Sequence, residues 1–218
     1  MVCASMSTPK SVSRLANRSG GASLRTRFLR RRKSTMRHQN YHMLRSSHYK
    51  IGAAFDTTQN ERMKERTETH HAQVGWTPFF GGLDRRVKRI TSHGRTKILE
   101  LDWTRFDGTI PVQLFLRIRE IRKFLLSKRS RKRYGQLLDW YNRELVDRIT
   151  LLPTGEVTHI KKGNPSGQFS TTVDNNLINE WLTAFEFGFQ YLNFHGDLPT
   201  IKEYRENVDF LCYGDDRS

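Results

Sequence analysis

Val208-Asp209-Phe210-Leu211-Cys212-Tyr213-Gly214-Asp215-Asp216 is a short apolar run that breaks at a Gly-Asp-Asp turn. An apolar strand ending this way sets two carboxylates side by side at a tight bend. Their mutual repulsion makes both hard to ionise unless a cation sits between them, so the geometry invites a divalent metal. Gly-Asp-Asp is also ordinary turn chemistry, and an isolated copy would be read as a turn and nothing more. Two other stretches shift the balance. One is the carboxylate-bearing Asp102-Trp103-Thr104-Arg105-Phe106-Asp107; the other is a Gly/Ser loop, Gly163-Asn164-Pro165-Ser166-Gly167, lying between the two in the chain.

The 218 residues suffice for one large domain or two small ones. A hydrophobic content of 36% with 11% aromatics marks the bulk as globular rather than disordered. Lys and Arg number 38 against 22 Asp and Glu, and the net charge of +16 suggests a polyanionic partner. The excess is uneven: residues 1–50 hold 12 basic side chains and no acid, which leaves 26 against 22, or +4, for the remainder. Cys3 and Cys212 are too few for a disulfide framework and match no zinc spacing, which points to an intracellular chain without thiolate-bound metal. No apolar run approaches the roughly 20 residues of a membrane span, and the start lacks the apolar core of a secretory signal.

Residues 1–49 are rich in Ser, Arg and Thr around Arg25-Thr26-Arg27-Phe28-Leu29-Arg30-Arg31-Arg32-Lys33. A basic arm touching RNA, a mitochondrial-type presequence and a segment without a fold compete for them; disorder with electrostatic RNA affinity is the favoured expectation. Beyond residue 50, helical spacing is expected over 55–69, and Asp84 is expected to cap a basic helix over 85–92 that stops at Gly94. Residues 97–103 alternate as a half-buried strand that delivers Asp102 at its carboxyl end. Pro111 opens a long helix with Val112, Phe115, Leu116, Ile118, Phe124 and Leu125 on one side and Arg117, Arg119, Arg122 and Lys123 on the other. A basic linker over 127–133 precedes a helix over 134–148. Residues 151–160 read as a hairpin around Pro-Thr-Gly, in which His159 is structural. Residues 171–192 form a helix whose buried face holds Leu177, Ile178, Trp181, Leu182, Phe185 and Phe189, and Thr200-Ile201-Lys202-Glu203 is a capping box. The expected class is α+β, with helices packed on a small sheet.

Nucleotidyl transfer needs two metals roughly 3.5–4 Å apart, so carboxylates must arrive from at least two neighbouring strand ends. Asp102 and Asp215, with Asp216 beside it, supply that set if the two strands are adjacent. Asp107 lies past the strand end and can face the sugar of a nucleotide instead. Asn175 follows Thr171 by one helical turn on the same face and could meet Asp107 there. An acid–amide pair in that place can read a ribose 2′-hydroxyl.

Asp102-x4-Asp107, then Ser166-Gly167-x3-Thr171-x3-Asn175, then Tyr213-Gly214-Asp215-Asp216 resembles, in that order, motifs A, B and C of viral RNA-dependent RNA polymerases. The fuller strings Asp102 to Pro111 and Gly163 to Asn176 are similar to the astrovirus-like branch of positive-strand RNA viruses, as are Gln59-Asn60-Glu61-Arg62-Met63-Lys64 and Gly75-Trp76-Thr77-Pro78. The resemblance runs from about Lys50 to Ser218 and implies a right-hand polymerase palm with part of the fingers, its helices on a small antiparallel sheet. It implies that Asp102, Asp215 and Asp216 are catalytic and bind Mg²⁺, for which Mn²⁺ can substitute. Asp107, Ser166, Gly167, Thr171 and Asn175 would position the nucleotide and its ribose, with Gly163 and Gly167 letting the loop move. Arg45, Lys50, Lys161 and Lys162 are candidates for RNA or triphosphate contact. The implied partners are RNA template and nascent strand, nucleoside triphosphates and other viral replication proteins; the implied location is the host cytoplasm, at replication complexes.

In that family a returning strand, a motif D lysine, motif E and a thumb follow the Gly-Asp-Asp turn, and a basic motif F precedes residue 50. None is found here, so the chain is expected to be a partial polymerase over 50–218, inactive alone, behind a basic segment over 1–49. Two alternatives stand beside it: a catalytically dead RNA-binding relic, and a reverse transcriptase. Tyr-x-Asp-Asp suits the latter, but such enzymes place a bulky aromatic where Asp107 sits.

Overall fold

A computed structural model describes residues 46–92, 100–152 and 154–217. The basic arm up to and including Arg45, Gly94 and the start of the strand expected over 97–103 lie outside those residues; residues 46–49, expected to have no fold, are helical. The element order is α1 (Ser46–Glu65), α2 (Gly82–Thr91), β1 (Leu101–Asp102), α3 (Phe106–Thr109), α4 (Val112–Phe124), α5 (Lys128–Val146), β2 (Arg148–Leu151), β3 (Val157–Ile160), α6 (Thr171–His195), α7 (Ile201–Asn207), β4 (Cys212–Tyr213) and β5 (Asp216–Arg217). This is a mixed architecture of helices with a small antiparallel sheet, as the sequence led us to expect.

Local chemistry explains most boundaries. Pro111 sits at the N-cap of α4, where its missing N–H leaves no orphan. Ser127 caps α5 by accepting the amide of Ser130, 3.1 Å away. The segment expected to be a basic linker is therefore the first turns of α5, a correction that follows from the cap. α6 ends at Gly196, which takes φ 82°. Thr200 and Glu203 form the expected capping box at α7, where the Thr200 amide, the Tyr191 hydroxyl and the Thr200 hydroxyl hold the Glu203 carboxyl down at about 2. α2 departs from expectation. It starts at Gly82 after the left-handed Gly81, and Asp84 lies inside its first turn, paired with Lys88 at 2.7 Å instead of capping.

The core lies where α4 meets α5 and α6. Phe106, Ile110, Leu114, Phe115, Ile118, Leu138, Tyr141, Leu145, Val146 and Ile178 are buried together, with Ile51 and Phe55 of α1 packed against them. Burying a side chain such as Phe115 contributes about 1.5–3 kcal/mol. Three sequence expectations fail in this region. Phe124 and Leu125, read on the apolar side of α4, are exposed at its C-terminal end. Arg119 and Arg122 do not face water but are 1% and 2% exposed inside the core. Conversely, Trp181, Phe185 and Phe189 of α6 are 41%, 51% and 54% exposed, stacked on one another in series. Periodicity identified an apolar face there, but no described element covers its C-terminal half.

The three-stranded sheet has the order β1-β5-β4, antiparallel throughout. Leu101 and Asp102 stand opposite Arg217 and Asp216, and Cys212 and Tyr213 stand opposite the same two residues. Residues 208–211, expected as the strand, precede it; the paired residues are Cys212 and Tyr213. The returning strand, expected to be missing, begins at Asp216 and lies between the other two. β2 and β3 form the expected hairpin, and His159 on it pairs with Asp147 at the surface.

Candidate active site

Three carboxylates lie at one end of the three-stranded sheet. Asp102 ends β1, Asp216 begins β5 directly opposite it, and Asp215 occupies the turn between β4 and β5. Gly214 enters that turn at φ 66°, a left-handed conformation that suits glycine. α6 clamps the turn. The Gly214 amide donates to Asn176 Oδ1 at 3.2 Å, and Asn179 Nδ2 donates to the Gly214 carbonyl at 3.2 Å. Asn179 Oδ1 accepts the indole N–H of Trp103 at 3.3 Å, tying the end of β1 to the same turn. Strand alternation sends Arg217 the other way, into the core, where it donates to Thr183 at 2.6 Å and to Glu186 at 2.7 Å.

No side chain among the described residues donates to Asp102, Asp215 or Asp216 within hydrogen-bonding distance. Partial desolvation raises the Asp216 carboxyl above its ordinary range, and the charges of Asp215 and Asp102 raise it further. Among the described residues no three Asp, Glu, His or Cys side chains are gathered closely enough to hold a metal ion by themselves. What the corner offers is hard oxygen donors on two adjacent strands under mutual repulsion, which fits a divalent cation such as Mg²⁺.

Beside this corner, Asp107 on α3 is fully engaged. Asn175 Nδ2 donates to its Oδ1 at 2.5 Å, and Ser166 Oγ donates to its Oδ2 at 2.7 Å. The meeting of Asp107 and Asn175 expected from their spacing is therefore observed. The loop backbone is stitched to the same place: the Asn164 amide donates to the Asp107 carbonyl at 2.8 Å and the Gly163 amide to the Ile110 carbonyl at 3.0 Å. A Cβ at residue 163 would lie 2.3 Å from the Asp107 carbonyl oxygen, so only glycine fits. Gly167 takes φ 91° in open space and is needed for its conformation alone. The Thr171 hydroxyl lies 3.0 Å from the Pro165 carbonyl and 3.1 Å from that of Gln168, so it closes the loop onto α6 and does not reach Asp107.

The basic candidates are scattered. Lys50 is exposed on the first turns of α1, while Lys161 and Lys162 are exposed just after β3. The Lys162 carbonyl accepts from buried Arg148, which also reaches the carbonyls of Leu145 and Gly163; burial lowers that guanidinium to about 10.

Sequence reasoning missed the polar groups behind the site. Arg119 and Arg122 of α4 form a buried quartet with Asp56 of α1 and Asp174 of α6, with contacts of 2.8 Å from Arg119 to Asp56 and 2.7 Å from Arg122 to Asp174. Asp56 and Asp174 are 2% and 0% exposed. Burial alone would lower the Arg119 pKa, but Asp174 and Asp56 outweigh it and hold the guanidinium above its ordinary range. Asn176 and Asn179 were missed too. Their signal was available: Asn residues three apart on a helix otherwise read as apolar are poor helix formers and need a reason to be there.

A family model described as "Viral RNA-dependent RNA polymerase" matches residues 47–218. The chain is 80% identical over 168 residues to the non-structural polyprotein 1AB of avian nephritis virus 1, covering 77% of the chain and 11% of that relative. It is 57% identical over 169 residues to the same polyprotein of turkey astrovirus 2, and 47% identical over 168 residues to that of human astrovirus-5. Those matches cover 77% of the chain in each case, and 10% and 11% of the relatives. The chain thus spans about a tenth of the length of the curated relatives it matches.

Proposed function

The chain belongs to the viral RNA-dependent RNA polymerases, of astrovirus-like type, and from that premise we propose that it carries the nucleotidyl-transfer centre of viral RNA synthesis. In this reading α4, α5, α6 and the three-stranded sheet are the palm, and α1 with the 163–170 loop belongs to the fingers side. The polymerase segment begins near residue 50, behind a basic region with affinity for RNA. The observation that supports the reading best is the register Asp102↔Asp216, which brings the two carboxylate stretches together across adjacent strands.

Asp102, Asp215 and Asp216 would hold the Mg²⁺ or Mn²⁺ ions. When bound, such ions lower the pKa of an attacking 3′-hydroxyl and neutralise charge on the triphosphate. The chain's own side chains supply the rest. Asp107, held by Asn175 and Ser166, faces the ribose and prefers a 2′-hydroxyl, which argues against the reverse-transcriptase alternative. Lys161 and Lys162 follow the hairpin into the loop and are suited to phosphate contact; Lys50 is a weaker candidate. Template RNA, the nascent strand and ribonucleoside triphosphates are the proposed partners, with other viral replication proteins at host cytoplasmic replication complexes. Among the described residues no helix is long and apolar enough to cross a membrane.

The test is metal-dependent incorporation of labelled ribonucleotides on a homopolymeric RNA template. It is run on this chain and on a longer astrovirus polymerase containing the matching segment, each with its Asp215→Ala/Asp216→Ala counterpart. Incorporation by the longer protein, lost in the double variant, is expected. Incorporation that survives the double variant would overturn the assignment of the corner and favour an inert, RNA-binding role for it.

A further inference from the structure

Between the carboxylate corner and Asp107 the chain makes a sharp bend, and an arginine stands at it. Arg105 takes φ 56° and ψ 43°, the left-handed conformation in which a Cβ crowds the following carbonyl and glycine is the usual occupant. Of the left-handed residues described, only Phe80 is likewise not a glycine. The bend is fastened from beyond, because the Arg105 carbonyl accepts the Gly108 amide at 3.0 Å and the Thr109 hydroxyl at 3.2 Å. The backbone cannot relax without giving up the start of α3.

The backbone thus gives no reason for a side chain here, and the reason has to lie in the guanidinium. That group is exposed and makes no hydrogen bond or ion pair with the described residues. Asp107, two residues on, has both oxygens taken by Asn175 and Ser166. The proposed reaction meanwhile leaves negative charge over at this place, since three carboxylates and a triphosphate outweigh two divalent ions. Arg217, the only basic residue on the three strands, is turned inward onto Thr183 and Glu186. A guanidinium beside the metal corner offers the missing charge, with forked N–H donors that match phosphate oxygens.

We infer that Arg105 binds the triphosphate of the incoming nucleotide, from a bend whose backbone its own side chain makes costly. The inference rests on the reading of the corner as the nucleotidyl-transfer centre. A phosphodiester of RNA offers the same oxygens, but the position favours the triphosphate. A nucleotide whose sugar meets Asp107 and whose phosphates meet the metal ions lays those phosphates along the segment between Asp102 and Asp107, where Arg105 stands.

Arg105→Gly, Arg105→Ala and Arg105→Lys test this together. On the 218-residue chain the denaturant midpoint should rise for Arg105→Gly and not for Arg105→Ala, because only glycine relieves the bend. A midpoint that falls for Arg105→Gly would make the side chain a structural one and overturn the inference. In an astrovirus polymerase carrying the equivalent changes, KM for ribonucleoside triphosphates should rise about tenfold with Gly and with Ala, the size of one lost charge-assisted hydrogen bond, while Lys keeps most of the binding. The dissociation constant for template RNA is measured in the same proteins. Weakened RNA binding with an unchanged KM would assign the guanidinium to the RNA backbone and overturn the inference. The Asp215→Ala/Asp216→Ala variant separates the two readings. Incorporation that survives it removes the nucleotidyl-transfer reading, and the inference with it. Incorporation lost there, with KM unmoved by Arg105→Ala, refutes the role of the arginine alone.

Discussion

Two acidic sites stand side by side in this chain and are built in opposite ways. Around Asp107 every carboxylate oxygen has a donor, and behind it the quartet of Asp56, Asp174, Arg119 and Arg122 balances two charges against two in the core. At the sheet end, Asp102, Asp215 and Asp216 repel one another and receive no donor from the described side chains. One site is completed by the protein; the other would need a cation to balance its charge. The chain thereby keeps fixed geometry at the first site and residual charge at the second, which is the division of labour that the proposed function requires.

If that contrast is real, damage to the first site should cost stability and damage to the second should not. Arg119→Met leaves Asp56 and Asp174 sharing one guanidinium, and should lower unfolding free energy by about 3–5 kcal/mol in denaturant titrations. A loss under about 1 kcal/mol would mean that water or rearrangement completes the quartet, and the contrast would fail. Divalent metal should act the other way at the second site. Mg²⁺ or Mn²⁺ at ten times its dissociation constant should stabilise the chain by about 1.4 kcal/mol, seen as a rise in Tm that Asp216→Asn removes. The same rise in the variant would move the ion elsewhere.

The smallest effect is the dependence on pH. Asp216 holds its proton more tightly in the folded chain than in the unfolded one, because partial desolvation, Asp215 and Asp102 all raise its pKa. Its contribution is favourable below the ordinary carboxylate range and is lost as pH rises through the raised value. Solvent screens an exposed carboxylate, so the decline is shallow. It should vanish in Asp216→Asn or with saturating Mg²⁺, and a decline that survives in the variant would assign it to another group.

What could be read from the sequence follows the range of the interaction. Asn175 sits one turn past Thr171 on a helix, and its meeting with Asp107 was legible from that spacing and from the motif order. That Asp102 would lie near the Gly-Asp-Asp turn was legible as a requirement of the chemistry, but the strand that pairs with it was not: it is the returning strand at Asp216, where the strand before the turn was expected. Arg119 and Arg122 were misread because a basic run on a helix usually faces water. Their acidic partners lie 63 to 66 residues away on one side and 52 to 55 on the other, where no local pattern points. Trp181, Phe185 and Phe189 were misread for the converse reason, since an apolar stripe states a preference and not what satisfies it.

The central strand of the sheet alternates two residues of opposite charge, Asp216 outward and Arg217 inward. Both of its neighbours read it in the same register, Asp102 and Tyr213 against Asp216, Leu101 and Cys212 against Arg217. A slip of a single residue would present a guanidinium to Asp102 in place of a carboxylate. The corner would then neutralise itself as an internal ion pair, with no charge left over to recruit an ion. Whether this sheet end can bind metal or seals itself depends on one position of strand alignment, and the Asn176 and Asn179 clamp on Gly214 is what keeps that alignment.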